Sequence, residues 1–368
     1  MLIVACISGH GYGHLSRTAS ILTALHQRQP DWRLLVSTPL SLATLRGALG
    51  AVPFEHRACR WDLGVLQADA LGADAAATLE ALDALEQQLP SQIHREAAWL
   101  ARQGEPILVL GDVPPAAAAL AQALAAPLIW IGNFGWDAIY RPMGGAFVGW
   151  AERALQAYRQ GAAVIECPFA MAMDWSIPHW PVGLTAGRPR FDRAKLRRLL
   201  AIDSPRERTV LVGFGGMGFP LPAELFNHWP DHQFLVTDPE LAAAAPNAAL
   251  LPAGLRPLDA MPVCARVLTK PGYSTFCEAL SQGLGVHLVR REGFAEAPVL
   301  EAALQAHGQH RLLSRDQLLA GDWQLDQPLQ PARRGPVRAM APIKPRACWS
   351  ASFSKTAAPQ GFDPLSSQ

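Results

Sequence analysis

Imidazole is the side chain best suited to take a proton near neutral pH. This chain places two in one glycine-rich run, Gly9-His10-Gly11-Tyr12-Gly13-His14. The run follows the apolar segment LIVACIS and precedes Leu15, Ala19, Leu22 and Leu25, which recur at helical spacing. A glycine turn between a strand and a helix exposes backbone N–H groups at the positive end of the helix dipole, where an anion is favoured. His14 falls on the first helical turn, facing the crevice at the strand's carboxyl end. A base needs an acceptor to orient it, and Asp112 ends the run ILVLGD. Carboxyl ends of parallel strands converge on one crevice, which would bring Asp112 to His14. Asp112 has a second reading, as the cap of a helix beginning near Pro114. The run is not a dinucleotide fingerprint. G-x-G-x-x-G needs a glycine where His14 stands, and an acidic residue near Thr38, whereas Asp31 precedes that strand. A nicotinamide enzyme is therefore disfavoured.

A second group of such turns lies in the C-terminal half. LVGFGGMG, with Gly213, Gly215, Gly216 and Gly218, follows an apolar run, and Thr269-Lys270-Pro271-Gly272-Tyr273-Ser274-Thr275 follows another. Both are suited to close approach of phosphate to backbone. Thr275 and Glu278 fit the capping box S/T-x-x-E; alternatively, a carboxylate one turn into a helix can accept hydrogen bonds from two adjacent ribose hydroxyls. Asn133, Trp136, Asp137 and Tyr140 form a polar and aromatic cluster suited to stacking on sugar faces, or simply to filling a core. Met173-Asp174-Trp175 has the same two readings. Arg290 and Arg291 end a strand where they either meet phosphate or stay solvated.

The elements that must position these residues follow an α/β rhythm. LIVACIS, Trp32 to Val36, Ile107 to Leu110 and Leu128 to Ile131 read as strands. Helical stretches at Leu15 to Leu25, Ala73 to Leu100 and Ala116 to Leu124 alternate with them. Residues 166–190 are rich in Pro, Trp and Gly without a period and read as the connection between lobes. A basic helix, Asp192 to Leu200, opens a second series. Its expected strands are Thr209 to Val212, Gln233 to Val236, Arg266 to Thr269 and Val286 to Val289; its expected helices lie near Ala223 to Trp229, at Ser274 to Gln282 and at Ala297 to Ala306. The expected fold is α/β, two tandem Rossmann-like domains facing across a cleft. The first spans 1–175, the second 176–330, and 331–368 is an unstructured basic tail.

Composition agrees with a folded chain. The 368 residues are 50% hydrophobic and 17% charged, with Lys+Arg 32 against Asp+Glu 31. At about 150 residues per domain that is two domains. The near-zero balance gives no argument for nucleic acid. Past residue 331 there are six basic residues and one acidic, Asp363, a local +5, leaving 26 − 30 = −4 for the rest. Six cysteines, at 6, 59, 167, 264, 277 and 348, show no metal-ligand spacing and read as buried thiols of a reducing compartment. The N-terminus reaches its glycine turn too early for a signal peptide. The apolar run Pro114 to Ile131, broken by Gln122 and Pro127, reads as helix then strand rather than a membrane span. The expected location is the cytoplasm.

GHGYGHLSR, VLGDVPPAAAALAQAL, GNFGWDAIY, FGG, TKPGYSTFCEAL and RREGFAEAP, in this order, resemble the glycosyltransferase-like module at the N-terminus of plant L-arabinokinases. More broadly they resemble nucleotide-sugar glycosyltransferases of the GT-B fold, which include the murein GlcNAc transferase and plant UDP-glycosyltransferases. The resemblance spans about residues 1–325. It implies an inverting glycosyltransferase, with a hydroxyl acceptor on the first domain, a nucleoside-diphosphate sugar such as a UDP-sugar on the second, and no cofactor. By position, His14 is implied as general base and Asp112 as its orienting acid. Gly215 and Gly216 match the diphosphate turn, Ser274 and Thr275 the helix start facing phosphate, Glu278 the ribose acid and Glu296 a contact to donor-sugar hydroxyls. Lys270 and Gly272 complete the donor set; His10, Gly11, Gly13, Arg17, Asn133, Trp136 and Asp137 line the acceptor side of the cleft.

The chain departs from the family pattern at Ser16-Arg17, where a small residue or proline is usual, and at Lys270-Pro271-Gly272, in place of a glycine pair. The basic tail also stands where a helix usually crosses back to the first lobe. Sugar kinase activity is not implied, since that activity belongs to a separate C-terminal domain in arabinokinases. No D-x-D motif calls for a metal-bridged diphosphate. Two other readings share the fold: a nucleotide-sugar epimerase or hydrolase, turning over without acceptor, and a catalytically silent nucleotide-sugar-binding module. No transmembrane segment is expected. Peripheral membrane contact and oligomeric state are left open.

Overall fold

A computed structural model describes residues 1–66, 74–215, 219–291 and 293–337. Two parallel sheets carry it. The first takes seven strands in the order β3-β2-β1-β4-β5-β6-β7: β1 Leu2–Ile7, β2 Arg33–Ser37, β3 Glu55–Arg57, β4 Ile107–Asp112, β5 Leu128–Gly132, β6 Ala163–Glu166 and β7 His179–Pro181. The second takes six in the order β10-β9-β8-β11-β12-β13: β8 Thr209–Gly213, β9 Gln233–Val236, β10 Ala248–Leu250, β11 Arg266–Thr269, β12 Gly285–Val289 and β13 His310–Leu313. Every residue of β1 and β12 is buried, His287 of β12 included, as strands between two helical layers must be.

The crossovers of the first lobe are α1 Tyr12–His26, α2 Leu42–Leu49, α3 Ala75–Ala101, α4 Ala116–Ala123, α5 Trp136–Tyr140 and α6 Phe147–Tyr158. Those of the second are α7 Arg193–Leu199, α8 Pro239–Ala244, α9 Pro257–Ala260, α10 Tyr273–Ser281, α11 Ala297–His307 and α12 Arg315–Leu319. In each sheet the chain starts centrally, winds outward one way and then returns to wind the other. The switch points therefore lie between β1 and β4 and between β8 and β11, where ligand crevices form in open α/β sheets.

The expected helix near Ala223 to Trp229 is a 3-10 helix, Ala223–His228, entered through Pro222. The segment read as an aperiodic connection supplies β7, which pairs in parallel with β6. Residues 331–337, expected in the unstructured tail, instead run along the end of α11: the Arg333 N–H donates to the Gln305 carbonyl at 3.1 Å and the Arg334 N–H to Ala306 at 2.7 Å. The rest of that segment lies outside the described residues.

One apolar core runs through both lobes. It joins Ile3, Val36 and Leu110 of the first to Leu211, Val267 and Phe276 of the second, with Cys167, Leu184 and Tyr273 among its members. The Tyr273 hydroxyl lies 3.0 Å from Thr185 Oγ1, and the ring faces the Arg17 guanidinium at 5.6 Å. The five described cysteines are buried and free.

Candidate active site

The loop after β1 brings the first lobe against the second. Gly11 caps α1 with φ of 80°, a conformation that favours glycine. At Gly13 a β-carbon would stand 3.8 Å from Tyr273 Cβ and 4.0 Å from the Ser274 nitrogen, so this turn meets the head of α10 directly.

One helical turn on, His14 Nδ1 lies 2.9 Å from Asp112 Oδ1. The strand-end carboxylate does not cap α4, which begins after Pro115 without a side-chain cap. It accepts instead from His14, from Thr18 Oγ1 and from Arg17, whose Nε stands 2.9 and 3.0 Å from its two oxygens. Burial alone would raise the Asp112 carboxyl, but Arg17 and His14 hold it below its ordinary value. Burial likewise works against the charged guanidinium, and Asp112 more than offsets it.

Arg17 is thus not a rim group awaiting an acceptor. It is 1% exposed, and its Nη1 donates to Asn133 Oδ1. Asn133 Nδ2 in turn donates to Glu296 Oε1 at 2.7 Å, crossing to the second lobe. Glu296 precedes α11, and burial raises its carboxyl.

His14 itself is 3% exposed. Phe134 and Trp136 stand edge-on and tilted to it at 5.7 and 5.9 Å between centroids. Trp136, 0% exposed, is part of an aromatic core that stacks on Tyr140 at 5.6 Å, so its placement follows the core-filling reading. Asp137 accepts from Trp175 Nε1 at 3.2 Å, and burial raises its carboxyl. His10 is half-buried, edge-on to Trp136, and its pKa is pushed down to about 3 by burial, with His14, Arg291 and Lys270 adding to the effect. Near pH 7 it is a neutral wall, not a proton carrier.

On the second-lobe side, Gly215 has φ of 82°, and a β-carbon there would lie 3.6 Å from Lys270 Cε. The ammonium stem thus runs beside the glycine turn that follows β8. Gly216 lies outside the described residues. Gly272 caps α10 and, as a glycine, supplies no side-chain cap to the first-turn N–H groups near Ser274 and Thr275. Because the helix starts at Tyr273, Thr275 lies inside it and the expected capping box does not form. Glu278 instead accepts from Ser16 Oγ of the first lobe at 3.0 Å, and burial pushes its pKa up to about 7.

Three partners escaped the sequence reading: Ser16, Thr18 and Asp62. Asp62 accepts from Ser8 Oγ at 2.9 Å and Trp136 Nε1 at 2.8 Å, and burial raises its carboxyl. It lies in an aperiodic stretch with no spacing to mark it. Thr18 was legible in principle, because a residue four beyond His14 lies on the same helix face, whereas Ser16 stands on the opposite face and meets Glu278 of the second lobe. Among the described residues no group of three or more His, Cys, Asp or Glu side chains is arranged to hold a metal ion. Nor is any helix there long and apolar enough to cross a membrane.

No family model matches the chain. The L-arabinokinase of Arabidopsis thaliana is 26% identical over 326 residues, which is 86% of this chain but 31% of that enzyme's length. Among solved structures, Arabidopsis thaliana UGT89C1 complexed with UDP-L-rhamnose matches with a TM-score of 0.62 at 14% identity, covering 89% of this chain and 91% of that one. Phytolacca americana UGT2 complexed with UDP-2-fluoro-glucose and pterostilbene matches at 0.60 and 14%, over 88% of each chain. The two parallel sheets and their switch-point turns are accordingly those of the GT-B glycosyltransferase fold, with distant sequence similarity to L-arabinokinase.

Proposed function

We propose that this protein is an inverting glycosyltransferase that moves a sugar from a nucleoside-diphosphate donor, most simply a UDP-sugar, to a hydroxyl of an acceptor. The bond between His14 Nδ1 and Asp112 Oδ1 carries the reading. An acceptor hydroxyl has a pKa far above 7, so a base must take its proton as the oxygen attacks the anomeric carbon. With its proton directed at Asp112, the His14 ring keeps a lone pair on Nε2 for that purpose, a contribution typically of about 10² to 10⁴ in rate. The diphosphate leaving group gathers charge as the bond to the sugar breaks. Backbone N–H groups of the Gly215 turn and of the α10 head, with the Lys270 ammonium, stabilise it; the approach of the Lys270 stem to Gly215 and the glycine cap of α10 support this reading. Glu278 accepts from the ribose hydroxyls and Glu296 from those of the donor sugar. The first lobe holds the acceptor and the second the donor.

The burial of His14 favours one other reading, a nucleotide-sugar-binding module without turnover. A thermal-shift series against nucleotides and nucleotide sugars, followed by product detection with acceptors, separates the two. Ligand at 100 times its Kd stabilises the folded protein by about 2.7 kcal/mol. Stabilisation by UDP-sugars that is lost in Glu278→Ala supports the donor site, and acceptor-dependent UDP release lost in His14→Ala supports the transferase. Binding without release in every acceptor class leaves the silent module. No response to any nucleotide refutes both.

A further inference from the structure

Two opposed groups meet one nitrogen of the His14 ring. Nδ1 stands 2.9 Å from Asp112 Oδ1, which can only accept, and 2.7 Å from Arg17 Nη2, which can only donate. A neutral imidazole carries one ring proton, so the two partners belong to different tautomers. With the proton on Nδ1 the ring donates to Asp112, and Nε2 holds a lone pair. With the proton on Nε2 the ring accepts from Arg17 and can take no proton there. The first form is a base toward the cleft; the second is only a donor.

The position of the guanidinium decides between them, and the guanidinium is held at both ends. Its Nε bonds both oxygens of Asp112. Its Nη1 bonds Asn133 Oδ1. Arginine cannot accept, so Asn133 must present its oxygen to Arg17 and its amide nitrogen to Glu296 Oε1, at 2.7 Å in the second lobe. A continuous line of oriented hydrogen bonds thus runs from the head of α11 to the imidazole. Its members are 0 to 5% exposed, so water is a poor substitute for any of them.

We propose that Arg17 is a positioning residue that selects the tautomer of His14, and that Asn133 and Glu296 report the state of the second lobe to it. When Glu296 holds Asn133, the guanidinium is drawn toward Asn133 and flat against Asp112, and the ring proton points at Asp112. With that hold in place Nη2 already lies within reach of both Asp112 Oδ1 and His14 Nδ1; when the hold is released, Nη2 donates to Nδ1 instead of to Asp112 and the proton moves to Nε2. The remaining groups facing the ring are His10 from the loop after β1 and Asp62 from the segment after β3, with Phe134 and Trp136 as apolar walls. The proposal rests on the glycosyl-transfer reading only for the consequence of the tautomer, since the coupling itself is a property of the folded chain.

The test is long-range proton–nitrogen NMR of the histidine rings in the nitrogen-15-labelled full chain, near pH 8, with His14 assigned by its loss in His14→Gln. The wild type is expected in the Nδ1–H form. Asn133→Ala and Glu296→Ala are expected to move at least half of the population to Nε2–H. Arg17→Lys, which keeps a charge but not the fork, is expected to stay Nδ1–H, and adding Glu296→Ala to it to change nothing. An Nε2–H wild type, an unmoved tautomer in the single variants, or a shift that persists in the Arg17→Lys background overturns the proposal. Should Arg17→Lys not fold, Glu296→Gln replaces it: glutamine retains an acceptor for Asn133, so it must behave as wild type while Glu296→Ala does not, and equal behaviour refutes. Transfer from UDP-sugars, measured on the same samples, keeps the two readings apart, because a tautomer response without turnover removes the transferase and leaves the coupling standing.

Discussion

Replacing Glu278 by Gln tests whether the fold keeps a costly carboxylate for the donor. Glu278 lies on the second turn of α10, half-buried, with Ser16 Oγ 3.0 Å away. Burial raises its pKa from 4.5 to about 7, and the Ser16 bond only partly opposes this. Because the folded value is above the unfolded one, the stabilisation is complete below about pH 4.5 and is lost as pH rises through about 7. The shift of about 2.5 units corresponds to roughly 3 kcal/mol at pH 8 and above. Gln cannot ionise and can still accept from Ser16, so the variant should melt on the order of 5–10 °C higher than wild type at pH 8 and together with it near pH 4. Nucleotide binding runs the other way. Ribose hydroxyls require an accepting carboxylate, so wild-type affinity for UDP should fall about tenfold per pH unit below 7, while Glu278→Gln binds weakly and without that slope. Calorimetric melts and UDP titrations across pH 4–9 read both. Parallel melting profiles of the two proteins, or equal destabilisation of the variant at every pH, would refute the reasoning.

His14→Ala should leave UDP affinity intact and lower transfer by about 10² to 10⁴, measured as acceptor-dependent UDP release; an unchanged rate would remove the imidazole from the chemistry. Asp112→Ala strands the buried Arg17 guanidinium and should cost about 3–5 kcal/mol in chemical denaturation, against under 1 kcal/mol for an exposed pair such as Arg153–Glu86. Gly64 has φ of 75°, and a β-carbon there would lie 2.4 Å from His10 Cγ. Gly64→Ala should therefore cost about 1–3 kcal/mol and shift the His10 ring resonances; wild-type stability would show that this turn relaxes freely.

The central strands were legible because burial on both faces selects apolar side chains along their middles, with polar residues such as Asp112, Thr209, Arg266 and Thr269 at the ends: β1, β4, β8 and β11 stand within two residues of their expected ends. Short edge strands were not. β3, β7 and β10 have three residues each and include Glu55, His56 and Pro181, and no alternation of apolar and polar side chains marks them. The glycine turns, His14 and Asp112 could be picked out because each ends a strand or opens a helix, and in a parallel sheet those ends share an edge; Glu278 was picked out through a capping-box spacing that the helix start at Tyr273 does not use.

What the amino-acid order determined, then, is local: which segments are strands, which turns expose backbone N–H groups, and which polar side chains stand at the crevice ends of the elements. Only the folded chain decided how those side chains pair. Arg17 lies 95 residues from Asp112, Asn133 163 from Glu296, and Ser16 262 from Glu278. Partners so far apart leave no period or spacing in the chain. They are chosen by the desolvation of buried charge, which makes each group take whichever donor or acceptor the packed lobes bring within reach.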